Sequence, residues 1–285
     1  MSAIGPTVAG SWYPADPRAL AEEVDRLLRG ATDDYAPSSV PVAALIAPHA
    51  GYVYSGKVAA RGFRALTKRK VATVILLGPS HYFGFRGAVV PDAASYRTPL
   101  GTVPIDGGAV RALASRPSIR METRPFGREH SLDSEIPFLQ GALDPGWSLV
   151  PVLVGSESTP SDAGGVAEAL APLLGDDAVV VVSSDFTHYG PRFGYVPFRT
   201  DVEDSLRRLD HAAFRAIESG DPAAFDGFLE ETDATICGRH PIAVLLRLLE
   251  GKARGSLVAY DTSGRMTGDW EHSVSYASIA FRPGA

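Results

Sequence analysis

Short, unbroken apolar runs set between helical stretches constrain this chain more than any other feature. Val42–Ala47 is wholly apolar, Val71–Leu77 is apolar but for Thr73, and Ala178–Ser183 reads AVVVVS. A strand with apolar residues at successive positions has two faces to bury. When helices separate such strands, the economical solution is a largely parallel sheet with helices on both sides. Leu149–Val154 reads as a further strand despite Pro151. Asp16 is placed to cap a helix that opens on Pro17 and runs to Gly30. Helical periodicity also covers Gly56–Leu66 and Ala163–Leu174, with Pro172 inclined to end the latter early. Further helices are expected over residues 201–219 and 221–231, and from Cys237 to Glu250. Strands at residues 256–261 and 273–281 close the chain as a hairpin or meander, the second alternating Val274, Tyr276, Ser278 and Ala280.

The expected class is therefore α/β, with a central mixed, mostly parallel sheet flanked by helices. The Pro/Ser cluster Ala36–Pro41 reads as a loop before a strand and is too short for an interdomain linker. With no second break and no repeat, residues 1–285 are expected to form a single domain.

Composition narrows the function. The chain is 45% hydrophobic and 21% charged, which excludes disorder over most of its length. A net charge of −6 argues against sequence-independent nucleic-acid binding, which needs a basic footprint. The apolar runs fall far short of the roughly 18 residues of a membrane span. The opening MSAIGPTVAG lacks the basic and apolar regions of a secretory signal. A single cysteine forms no internal disulfide, so a reducing cytoplasm is the expected compartment.

Three strands run into histidine-bearing loops: Ala47-Pro48-His49, Gly78-Pro79-Ser80-His81 and Ser184-Asp185-Phe186-Thr187-His188. In an open parallel sheet, ligands bind at the carboxyl edge of the strands. One such histidine alone would read as structural, but three in equivalent places point to a shared site. Cys237 precedes an apolar helix, with Arg239 two residues on. A helix N-terminus and a nearby cation favour the thiolate, so Cys237 reads as a reactive thiol and metal ligand rather than an inert buried one. His130 lies at the mouth of a further helix that Ser131 is placed to cap, with Ser134 or Glu135 reaching back. Gly51–Val58 matches a phosphate loop as far as Lys57, but Val58 stands where magnesium needs a hydroxyl, so nucleotide binding is not expected.

The ordered segments Gly10-Ser11-Trp12-Tyr13-Pro14, APHAGYVYSG (47–56), LLGPSHY (76–82), EHSLDSEIPFL (129–139), VPVLVG (150–155), SSDFTHYG (183–190) and CGRHPIAVLL (237–246) span nearly the whole chain. Together they closely resemble the Memo-like family, whose fold is similar to the class III extradiol dioxygenases of the LigB-like group. The resemblance implies a mononuclear metal on His49, His81 and Cys237, with His188, Asp185 and His130 lining the same cavity. Fe(II) is the implied ion and copper the alternative. Radical-SAM or AMMECR-type protein partners are implied for prokaryotic members. Extradiol dioxygenases hold Fe(II) on two histidines and a carboxylate. Here the resemblance puts Cys237 in the carboxylate's place, so catechol cleavage does not carry over directly.

Three functions compete. A redox enzyme would bind O₂ and a phenolic or other small organic substrate. His188 and His130 would then exchange protons, and Asp185 would orient an imidazole or accept its proton. A non-catalytic metal- or peptide-binding protein would use the same cavity for recognition. Metal-dependent hydrolysis fits less well, because a thiolate lowers the Lewis acidity of the ion. A binding pocket has no need of three ionisable groups beside its ligands, which favours the enzyme.

Overall fold

The computed structural model describes residues 2–31, 40–67 and 69–284. The loop expected at Ala36–Pro41 lies outside these but for its last two residues. The N-terminal third contains β1 (Ala3–Ile4), α1 (Pro17–Gly30), β2 (Ala44–Ala47), α2 (Tyr52–Arg64), β3 (Thr73–Pro79), β4 (Ala88–Val90) and β5 (Ser95–Thr98). The middle contains β6 (Gly101–Pro104), α3 (Gly107–Ala114), β7 (Ile119–Met121), α4 (Ile136–Ala142), β8 (Ser148–Val154), α5 (Pro160–Leu170), β9 (Ala178–Ser183) and β10 (His188–Tyr189). The remainder is α6 (Val202–Glu218), α7 (Pro222–Thr232), α8 (Arg239–Leu249), β11 (Ala253–Thr262), α9 (Ser263–Thr267) and β12 (Ser273–Pro283).

The main sheet has the order β10-β12-β2-β9-β3-β8-β4-β7, with β11 pairing along β12. Its centre is parallel: β9 lies between β2 and β3, and β3 pairs with β8. Antiparallel pairing flanks this centre, through β12 on β2 and β4 on β8. The four central strands are the apolar runs of the sequence, and nearly every residue in them is buried. Helix α2 packs on β2 and β12, while α8 packs on β3 and β9. The α/β class with a helix-flanked mixed sheet is the one expected.

Helix α1 starts as the sequence dictates, the Asp16 side chain accepting from the Ala19 N–H behind Pro17. Two other helices start earlier than periodicity alone placed them. Helix α5 begins at Pro160 because Thr159 and Asp162 form a reciprocal capping box. Helix α2 begins at Tyr52, whose N–H donates to the Trp12 carbonyl. Pro172 falls in a short 3₁₀ turn, Ala171–Leu173, after α5 has ended. The cap expected at Ser131 is absent. Residues Ser131–Glu135 form turns, and α4 starts at Ile136 with no side-chain cap. The Ser131 hydroxyl donates instead to the Pro79 carbonyl, 3.0 Å away, tying this segment to the end of β3. The short strands β4 to β7 carry too few residues for a period-2 signal and were not expected.

Candidate metal centre

Strands β2, β9 and β3 run side by side in one direction, so their C-terminal ends share an edge. Each is followed, two residues beyond its last strand residue, by a polar side chain: His49, Asp185 and His81. The sheet order puts Asp185 between the two histidines. Its Oδ1 accepts from the backbone N–H of His49 at 2.9 Å and of Ala50 at 3.3 Å, which fixes the β2 loop to the β9 loop.

The third imidazole comes from the 129–135 segment. Among the described residues, His49, His81 and His130 each offer one ligand atom, and these atoms lie within 4.8 Å of one another. The His81 and His130 rings stack at 4.4 Å, and His49 meets both edge-on at 5.3 and 5.5 Å. Gly78 makes this approach feasible. A Cβ there would stand 2.5 Å from Ser131 Oγ and 2.7 Å from Leu132 Cδ2, pushing the segment off the strand.

Glu129 anchors the group. Its Oε2 accepts from the His81 N–H at 2.7 Å and its Oε1 pairs with His81 Nδ1 at 2.8 Å. Burial alone would raise its pKa, but the hydrogen bonds and charge of His81, with His130 behind, outweigh that and hold it at about 2. The ionised carboxylate can only accept, so His81 Nδ1 carries a proton towards Glu129 and Nε2 is the nitrogen left to face the site. Burial, with the neighbouring His81 charge, pushes His130 down to about 4. Burial also drives His49 well below an ordinary imidazole, helped by His81, His130 and His188. Those two rings are neutral at physiological pH, the state that binds a metal.

Cys237 reaches the same place from the loop before α8. Its sulfur lies 3.4 Å from His49 Nε2 and accepts from the Asp185 N–H at 3.2 Å. Gly238 lets the loop lie against β9, because a Cβ there would sit 2.3 Å from Ser184 Cβ. The thiol differs from expectation. Burial, and then the Asp185 carboxyl, raise its pKa well above that of a free cysteine, despite the favourable hydrogen bonds of Asp185 and Ser184. Arg239 is exposed and does not offset this. The desolvated sulfur is therefore a protonated thiol until something replaces its proton, not the activated thiolate its helix-start position suggested.

Burial raises Asp185 to about 7, against the pull of the His49 and Ala50 N–H groups. It is thus able to hold or release a proton near neutrality. The sequence places His188 in the loop after β9. It lies instead in β10, paired with Val274 of β12. Its Nδ1 bonds the carbonyls of Phe186 and Thr235 at 2.9 and 3.2 Å, and its N–H donates to Thr235 Oγ1. Carbonyls only accept, so Nδ1 carries the proton and Nε2 is the free face.

Aromatic side chains stand around the group. Trp12 meets His130 edge-on at 4.5 Å, Tyr82 is half exposed with its hydroxyl 3.3 Å from His130 Nδ1, and Phe193 meets His188 at 5.2 Å. The residues that sequence reading passed over as functional are Glu129, Trp12 and Tyr82. Trp12 adjoins its histidine only in space, whereas Glu129 and Tyr82 are also chain neighbours of His130 and His81.

The donor set fits a transition-metal ion. Neutral imidazoles with a carboxylate behind one of them, and a nearby sulfur, are ligands for iron, copper or zinc rather than for magnesium or calcium. Among the described residues no helix is long and apolar enough to cross a membrane.

Known proteins are similar to this chain in sequence or in fold. A "MEMO1 family protein" of Thermococcus onnurineus is 33% identical over 97% of this chain and 98% of its own. "Protein memo-1 homolog" of Caenorhabditis elegans is 35% identical over 95% of this chain and 80% of its own. The crystal structure of an uncharacterised Escherichia coli K12 protein, 15% identical, superposes with a TM-score of 0.54 over 83% of this chain and 98% of that one. It shares the fold alone. The model of the family described as Memo-like protein matches residues 5–280. The chain belongs to the Memo-like family.

Proposed function

We propose that the protein is a mononuclear metal-dependent redox enzyme, related in its chemistry to the class III extradiol dioxygenases. The observation that carries this reading is the convergence of three imidazoles, with the Cys237 sulfur beside His49, on one sheet edge that also holds a carboxyl titrating near 7. His49 and His81 hold the ion, and His130 and Cys237, each adjoining His49, supply further donors. When bound, iron or copper supplies one-electron chemistry towards O₂.

The chain's own residues do the rest. Asp185 is ready to take or give a proton at neutral pH. The Nε2 face of His188 is available to a substrate proton, its other nitrogen being locked on two carbonyls. Trp12, Tyr82 and Phe193 offer flat apolar faces that suit a phenolic or other planar organic substrate.

The test is anaerobic purification, loading with Fe(II) or copper, and O₂ uptake across a panel of catechols. About one bound equivalent and substrate-dependent uptake, both lost in His81→Ala, are expected. Stoichiometric binding with no uptake for any substrate would favour a non-catalytic metal-binding protein. Failure to bind either metal would overturn the reading altogether.

A further inference from the structure

The Ser183 hydroxyl, at the end of β9, stands at the meeting point of three polar atoms. His49 Nδ1 lies 2.7 Å from it, Glu135 Oε1 3.0 Å, and the Ser131 carbonyl is also in hydrogen-bond contact. A hydroxyl has one proton to give and two lone pairs to accept with. Of the three neighbours, the carbonyl can only accept, whereas an imidazole nitrogen and a protonated carboxyl can each donate. The arrangement that satisfies all four groups gives the Ser183 proton to Ser131 and takes one proton each from His49 and Glu135.

Glu135 is fully buried, and its second oxygen, Oε2, has no hydrogen-bond partner among the described residues. The ionisable groups that act on it are Asp185, and Tyr52, whose hydroxyl is committed to the Ser134 carbonyl. Neither is a cation. An ionised carboxylate here would be a buried, uncompensated charge with one oxygen bare. A neutral carboxyl leaves only a carbonyl-type oxygen unpaired. Burial accordingly drives Glu135 well above the ordinary carboxyl range.

We propose that Glu135 is a positioning residue for His49: its protonated carboxyl donates to Ser183, which thereby presents a lone pair to His49 Nδ1–H and leaves His49 Nε2 free to bind an ion. His81 has its tautomer set by an ionised carboxylate in direct contact. His49 would have its own set by a neutral carboxyl through a hydroxyl. The effect on metal binding rests on the proposed metal centre, but the tautomer of His49 does not, and the two are read separately.

The experiment uses the full, metal-free chain labelled with ¹⁵N-histidine, His49 being assigned by its loss in His49→Ala. Two-bond ¹H–¹⁵N correlations should show His49 protonated on Nδ1 in the wild type and in Glu135→Gln, whose amide still donates. Glu135→Leu and Ser183→Ala should give a mixture of tautomers. At mildly alkaline pH an infrared band of a protonated carboxyl should disappear in Glu135→Gln. Co(II) titration followed by visible absorption should show about tenfold weaker binding in Ser183→Ala and little change in Glu135→Gln. A proton on His49 Nε2 in the wild type, a Glu135→Leu spectrum identical to wild type, or no carboxyl band lost in Glu135→Gln would each overturn the proposal. Should Glu135→Leu not fold, Ser183→Ala and the infrared band decide it. The expected tautomers and band without any Co(II) binding would uphold the proposal while removing the metal centre.

Discussion

The Glu129 carboxylate grips His81 at two points, accepting from its backbone N–H at 2.7 Å and bonding its ring Nδ1 at 2.8 Å. The same Oε1 accepts from the backbone N–H groups of His130 and Ser131, at 2.9 and 3.0 Å. One carboxylate therefore orients a strand-end histidine and shapes the segment that carries another. Glu129→Ala is expected to weaken metal binding about 10- to 100-fold, the usual effect of removing a hydrogen-bond partner behind a ligand. Competition titration with a chelator measures this, and circular dichroism checks that the fold persists. An unchanged affinity would show that His81 does not need Glu129 to bind.

The same residue makes the metal-free protein acid-sensitive. Glu129 is held at about 2 in the folded state, below the ordinary value of 4.5. A depressed acid contributes stability that is complete above its unfolded pKa and is lost as pH falls through the folded one. Between about pH 4.5 and 2, wild type should lose on the order of 3 kcal/mol that Glu129→Gln does not lose. Denaturant titrations at several pH values test this, and parallel pH profiles for the two proteins would refute it.

Cys237 and His130 predict different proton counts on metal binding. A protonated thiol must give up its proton to become a ligand, whereas His130, held at about 4, is already neutral. If Cys237 binds the ion, affinity should rise close to tenfold per pH unit from about pH 6 to 8. If the three histidines alone bind it, His49 and His130 add almost nothing to the pH dependence in that range. The raised thiol pKa also makes alkylation of Cys237 slow at neutral pH in metal-free protein, and faster as pH rises. Rapid labelling at neutral pH would contradict the desolvated environment.

His188 is pinned through Nδ1 and its backbone. His188→Ala should leave metal content nearly unchanged while lowering any turnover by roughly 10²–10⁴-fold, the range for a lost general acid or base. Metal analysis beside His81→Ala is the decisive comparison. Metal loss in both would make His188 a ligand.

Gly238→Ala should destabilise the fold by about 1–3 kcal/mol, because its Cβ would overlap Ser184. It should also weaken metal binding if Cys237 is a ligand, since the thiol's loop is displaced. Thermal melts and metal titration separate the two effects, and an unchanged melt would show that the loop yields freely.

Much of the scaffold was legible in the chain. Strand β9 matched its AVVVVS run, α1 matched its Asp16–Pro17 start, and the class followed from buried strands alternating with helices. These are local signals: an apolar run, a cap, a proline. Two site histidines were legible for the same reason, because strand ends in a parallel sheet share an edge, and His49 and His81 each lie two residues past one. The remainder depended on where distant segments met. From its own residues His130 read as a capping neighbour, and only the family resemblance put it in the cavity; the 129–135 segment folds over the end of β3 and brings it against His81, 49 residues away in sequence. Cys237 read as an activated thiol from its place before a helix, but desolvation reversed the direction of its pKa. Sequence alone determined which groups emerge from the sheet edge. Tertiary structure decided which of them touch and which are protonated, because burial and contacts between segments far apart in the chain leave no periodic trace in it.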